Sequence, residues 1–316
     1  MSADSPHAPL PEGKQDILQG LRKKLARLAA SRAAHAASAE CQLPSAGCPP
    51  PSRAAKAVPD AIVYRRDLPR EAPPCAPAEP GICIPLDRCV QGVETPSAAG
   101  PLFYLIETPA VTDQTLASAL AEALPRALAS IPLVGSPPLA PEDACFLDVE
   151  TTGLGTATIF LIGTLTLRDG RLVCRQFLAR SYAEEPSILH AFAEEARRAR
   201  LLVTFNGKTF DVPSLRARAA RARVVLPDVP LHFDLLHAAR RRYADTLPDC
   251  RLQTLERCIC RRHRVDDIAG ADIGRAYHYF VRSGDAREIA LIVQHNRHDL
   301  LTVAELMARM LLTHDP

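Results

Sequence analysis

The dipeptide Asp169-Gly170 lies between two apolar runs, Thr158 to Arg168 and Leu172 to Ala179. Asp-Gly readily takes the left-handed backbone of a two-residue hairpin turn, so the runs are predicted to fold back on each other as antiparallel strands. A third apolar run, Ala144 to Val149, precedes them and completes a three-strand meander. The pattern then alternates, with a helix over Pro186 to Ala199, a strand over Leu201 to Phe205, a helix over Asp211 to Arg223 and a strand over Leu231 to Phe233. Helices follow to the end, the last tracing an apolar face through Ile289, Ile292, Val293, Leu300, Val303 and Leu306. A meander followed by alternating helix and strand predicts an α/β fold, a mixed five-stranded sheet flanked by helices.

The rest of the chain reads differently. Residues 1–80 open with a basic, Ala-rich helical pattern over Gln15 to Ala37 and continue from Ser38 to Pro80 as a Pro/Ala/Ser-rich linker, expected to be largely disordered. The pattern reads either as an amphipathic helix that docks on a protein partner, on nucleic acid or on an anionic membrane face, or as a marginal helix that is largely exposed. Order is expected to return over residues 81–140 as a small cap or extension, with a strand at Phe103 to Ile106 and a helix over Leu116 to Leu128. Residues 141–316 then form the main domain. No apolar segment reaches bilayer-spanning length, and the N-terminus lacks the apolar centre of a secretory signal, so a cytoplasmic protein is the expectation.

Three motifs in the main domain carry carboxylates: Asp148 and Glu150 in CFLDVETTGLG, Asp211 in TFNGKTFDVPSL, and Asp299 in HNRHDLLTV. Residues two apart on a strand share a face, so Asp148 and Glu150 present two carboxylates to one point at the strand's end. Asp211 opens the helix that follows Asn206-Gly207, and Asp299 lies on the long last helix four residues after His295, on the same face. Four hard oxygen donors from separate elements suit two divalent cations, Mg²⁺ or Mn²⁺. Taken singly, each acid is equally at home as a solvated strand end, a helix N-terminal residue or an ion-pair partner. Together, in order and on the right elements, they point to phosphodiester chemistry.

The ordered set DxE, NGKxFD and HNxxD resembles the DEDD-type exonuclease superfamily with its ribonuclease H-like fold. Its wording is similar to the YprB-type branch of predicted exonucleases, over about Ala144 to Leu312. The resemblance implies Asp148, Glu150, Asp211 and Asp299 as metal ligands, with Glu150 also catalytic through the attacking water or the terminal nucleotide. It implies His295 as the general base, since an imidazole accepts a proton near neutral pH. Asn206, Lys208 and Thr151 are the implied substrate-binding residues. The chain departs from the two common patterns: Gln294 stands where one subtype has histidine, and His295 where the other has tyrosine.

Two basic clusters, Arg240 to Arg242 and Arg257 with Arg261 to Arg264, add charge suited to a polyanionic backbone, although the chain's formal net charge is only +2. No C-x-x-C spacing occurs, and Cys145 and Cys174 within apolar strands read as small buried hydrophobes. Single-stranded DNA or RNA is the expected partner. The implied activity is metal-dependent exonucleolytic hydrolysis, with 3′ to 5′ direction coming from the resemblance. Two alternatives stay open at this point: a non-catalytic nucleic-acid-binding or scaffold protein on the same fold, and a hydrolase of short oligonucleotides.

Overall fold

The computed structural model describes residues 83–109, 114–128, 139–155 and 157–312. The expectations for residues 1–80 lie outside them. Asp169 at φ 49° and Gly170 at φ 70° make the hairpin turn, joining β4 (Ile159–Arg168) to β5 (Arg171–Leu178) with Arg168 opposite Arg171. β3 (Ala144–Thr151) pairs antiparallel with β4, completing the meander. β6 (Leu201–Thr204) adds parallel to β3, and β7 (Leu231–Asp234) parallel to β6.

Among the described residues the sheet has seven strands, in the order β1-β2-β5-β4-β3-β6-β7, where the sequence predicts five. The two added strands are β1 (Val93–Ser97) and β2 (Gly100–Pro109), an antiparallel hairpin whose second strand pairs with the outer side of β5. The predicted strand at Phe103 to Ile106 is thus part of the main sheet. Its pairing with residues some seventy positions later leaves no local trace, because strand propensity reports a pleated conformation and not a neighbour. β4 is buried from Ile159 through Leu167, as a central strand covered on both faces must be.

Among the described residues six helices of eight or more residues accompany the sheet: α1 (Gln114–Leu128), α2 (Glu185–Ala196), α3 (Asp211–Ala222), α4 (Leu235–Tyr243), α5 (Gly270–Ser283) and α6 (Arg287–Leu312). Strand alternation sorts them into layers. Phe146, Leu165 and Cys174 pack with Leu116 and Leu120 of α1 and with Leu300 and Val303 of α6. Cys145 and Leu147, which point the other way, pack with Ile188, Leu189 and Phe192 of α2 and Leu215 of α3. The predicted apolar face of α6 is buried along its length. Because β3, β6 and β7 are mutually parallel, their C-terminal ends open at one edge of the sheet, and the site is built there.

Candidate active site

β3 delivers Asp148 and Glu150 to this edge. Glu150 is buried, and Asp148 is half-buried. The loop after β6 turns at Asn206, which takes φ 65°, and leads into α3 with Asp211 as its first residue. Asp234, at the end of β7, holds that loop: its carboxylate accepts the Asn206 N–H at 2.7 Å and the Lys208 N–H at 3.0 Å. It also caps α4 by accepting the Leu236 N–H at 3.1 Å. Asp211, buried, accepts the Val149 N–H at 3.3 Å, which ties the second motif to the strand of the first.

α6 crosses the same edge and contributes His295, Asn296 and Asp299. His295 is buried, whereas Gln294 is exposed, so the helix turns the histidine and not the glutamine inward. His295 Nδ1 lies 2.7 Å from Asp267 Oδ1, and its Nε2 lies 3.5 Å from Asp299 Oδ2. Asn296 is completely buried and donates from Nδ2 to Asp148 Oδ2 at 2.7 Å and to the Asp148 carbonyl at 3.2 Å.

The electrostatics show that these acids share one space. Burial, then the charges of Asp299, Glu150 and Asp211, raise Asp148 well above the usual carboxylate range. Glu150 is pushed up to about 8 by burial, with Asp299, Asp211 and Asp267 adding to the shift and His295 opposing it. Asp211 is pushed up to about 7, again mainly by burial, while its backbone hydrogen bonds pull it down. For His295 burial works downward, but the hydrogen bond to Asp267 and the Asp299 and Glu150 charges outweigh it and raise the imidazole. A set of hard oxygens that repel one another in a desolvated edge has the donor chemistry of a divalent-cation site. Among the described residues no three His, Cys, Asp or Glu side chains already converge in ligating geometry. Asp299 is instead drawn to Arg264.

The sequence groups Arg264 with a basic cluster suited to a polyanion, and the structure corrects that expectation for this residue. Its guanidinium turns inward, ion-pairing with Asp299, with Glu256 at 2.6 Å and with Asp267 at 3.2 Å. Arg262 likewise lies 3.2 Å from the buried Glu305 of α6. Charge in a sequence says nothing about which way a side chain faces, so neither could be told from a solvated arginine. Asp267 had no signal at all, and Asn296 was visible only as a letter within the third motif.

The structure sets the other named residues around this group rather than within it. The Thr151 hydroxyl donates to the Gly153 carbonyl at 2.6 Å, bracing the turn after β3. Lys208 is exposed on the loop before α3; burial and then the Lys208 charge hold His232 down to about 4. Beside Glu150 opens a cleft of about 930 Å³, with Thr151, Leu154, Tyr182, Ile273 and His278 among its walls. Its shape depends on Gly274, where an added Cβ would come within 2.6 Å of the Thr152 carbonyl oxygen, so α5 packs directly on the turn.

The sequence also matches known proteins. The RNase_H superfamily profile matches residues 145–311. "Uncharacterized protein YprB" of Bacillus subtilis (strain 168) is 33% identical over 170 residues, which is 52% of this chain and 41% of that protein. The chain therefore spans well under half the length of that relative. Among solved structures, the family B DNA polymerase from the hyperthermophilic archaeon Pyrobaculum calidifontis is similar with a TM-score of 0.43 and 17% identity, over 56% of this chain and 25% of that one. The profile spans every strand from β3 to β7 and all three acidic motifs, more than half of the chain, and the chain belongs to the RNase_H superfamily.

Proposed function

We propose that this chain is a metal-dependent exonuclease that shortens single-stranded nucleic acid from its 3′ end, with the chemistry carried by residues 141–316. The observation that supports this most is that three separated motifs meet at one edge of the sheet: Asp211 accepts the Val149 N–H between Asp148 and Glu150, and Asn296, three residues before Asp299, donates to Asp148. Asp148, Glu150, Asp211 and Asp299 would hold two divalent cations, Mg²⁺ or Mn²⁺. Such ions, when bound, supply Lewis acidity to a phosphodiester and lower the pKa of a water.

The chain's own groups have distinct tasks in this reading. His295 accepts the proton of the attacking water at Nε2, while Asp267 holds Nδ1 and so sets the ring's orientation and tautomer. Arg264, bonded to both Asp267 and Asp299, offsets the repulsion between these two acids and holds them in place beside His295. The cleft beside Glu150 receives the terminal nucleotide, with the Thr151 turn as its lip. Lys208 and Asn206, on the loop that carries Asp211, contact the phosphate backbone. The 3′ to 5′ direction rests on the motif resemblance.

The test is hydrolysis of end-labelled single-stranded DNA, RNA and dinucleotides with Mn²⁺ or Mg²⁺, run beside Asp148→Ala prepared in the same way. Stepwise shortening that disappears in the variant and with chelator supports the proposal and shows the sugar preference. Cleavage of dinucleotides alone would move the activity to short oligonucleotides. Binding of strands without cleavage under any cation would leave a nucleic-acid-binding protein.

A further inference from the structure

Asp148 on β3, Gly163 on β4 and Gln176 on β5 stand in one cross-strand row, Asp148 opposite Gly163 and Gly163 opposite Gln176. Paired residues project to the same face of a sheet. The middle member has no side chain, so the row has a notch, and Asn296 of α6 sits in it. A Cβ at Gly163 would overlap Asn296 Oδ1 and come within 2.9 Å of Leu300 Cδ1. Through this notch Asn296 reaches both neighbours, Asp148 on one side and Gln176 on the other.

The direction of these bonds follows from groups that can only accept. Gln176 lies 2.8 Å from the Val293 carbonyl, so the atom it presents there must be Nε2. The same Nε2 donates to Asn296 Oδ1 at 2.8 Å. The other end of the Asn296 amide is then Nδ2, which meets Asp148 Oδ2 at 2.7 Å and the Asp148 carbonyl, a second obligate acceptor, at 3.2 Å. Asn296 is 0% exposed and Gln176 1% exposed. In the absence of Gln176, a buried Asn296 oxygen would lose its partner, and the amide would be free to turn.

We infer that Gln176, which touches no substrate, is a positioning residue: it fixes the Asn296 amide in the one orientation that donates to Asp148 and so aims that carboxylate into the site. The consequence for cations and catalysis rests on the exonuclease reading, but the relay itself does not. A single buried glutamine on β5 thereby couples the aim of the first motif to the seating of the helix that carries the third. Groups that orient a ligating carboxylate typically affect metal affinity about 10–100-fold.

The test compares the full chain with Gln176→Met, which keeps the volume and removes both donors. In the unaltered chain, nuclear magnetic resonance should show slow exchange of the Asn296 side-chain amide and a coupling across the hydrogen bond from Gln176 Nε2 to the Val293 carbonyl carbon. In Gln176→Met the Asn296 exchange should accelerate at least about tenfold, Mn²⁺ affinity by calorimetry should fall about tenfold, and kcat on an oligonucleotide should drop with KM unchanged. A cooperatively folded Gln176→Met with unaltered Asn296 exchange and unaltered Mn²⁺ affinity would overturn the inference. Should the unaltered chain bind no Mn²⁺, the exonuclease reading fails, and Asn296 exchange in the two proteins decides the relay by itself. Should Gln176→Met not fold, the coupling to Val293 decides it, its absence counting against the relay.

Discussion

Asp148 and Asp299 meet at one edge of the sheet, where the Asp299 charge follows burial among the causes that raise Asp148, yet the two are held by opposite means. Asp148 is held by neutral amides, Asn296 and behind it Gln176, in a notch made by a glycine. Asp299 is held by charge, through Arg264, which also grips Glu256 and Asp267. The neutral side is a matter of shape, an amide seated where a glycine leaves room. The ionic side already contains a cation, the guanidinium, so in the proposed reading a divalent cation would have to compete with it for Asp299. The site thus combines a carboxylate bonded to a neutral amide with one paired to an arginine.

Substitutions at Asp148, Asp211, Arg264 and Gly163 would break this division, and one at His232 serves as a control outside it. The largest effect is expected from Asp148→Ala and Asp211→Asn, each losing several kcal/mol of transition-state stabilisation, on the order of 10³-fold in kcat/KM, with the fold intact by circular dichroism. An unchanged rate in either would remove the carboxylates from the chemistry. Arg264→Gln comes next. Leaving three acids without their shared cation should cost about 3 kcal/mol of stability by urea denaturation, and Mn²⁺ should restore more of it than it adds to the unaltered chain. If Mn²⁺ stabilises both proteins equally, the arginine is not competing for the cation's place.

Gly163→Ala probes the neutral side. Forcing a methyl against Asn296 and Leu300 should destabilise the protein by about 2 kcal/mol and lift α6 from the sheet, and no added Mn²⁺ should repair it. Full metal rescue would contradict a side held by shape. The smallest effect is a pH control outside both halves. His232, with its Nε2 2.9 Å from Thr204 Oγ1, is held down to about 4 from 6.5, first by burial and then by Lys208. Between those values the unfolded chain binds more protons, so stability is full above pH 6.5 and declines as pH falls toward 4. His232→Asn should flatten that decline in urea midpoints taken at intervals across the window, and an unaltered slope would assign the proton uptake elsewhere.

The legible parts of the molecule were those whose signal is short-range. The Asp169-Gly170 turn, the meander and the amphipathic face of α6 all follow from residues within a few positions of one another. The pairing of β2 with β5 did not, because both strands present the same pleated pattern whichever edge they join. In the site, the order of the acidic motifs was visible in the letters, and so was the placement of His295 and Asp299 on one helical face. The inward turn of Arg264 was not: an arginine in a basic run and an arginine paired with three acids have the same side chain and differ only in what surrounds them.

By itself the sequence determined the residue types at the edge of the sheet, the periodicities that build the strands and helices, and the superfamily to which they belong. Only the tertiary structure decided that Gly163 is a socket, that Asn296 fills it, and that Gln176 and Arg264 hold the acids on either side. Periodicity is a property of neighbours along the chain, whereas a notch, a relay and a charge lock exist only between elements brought together by packing.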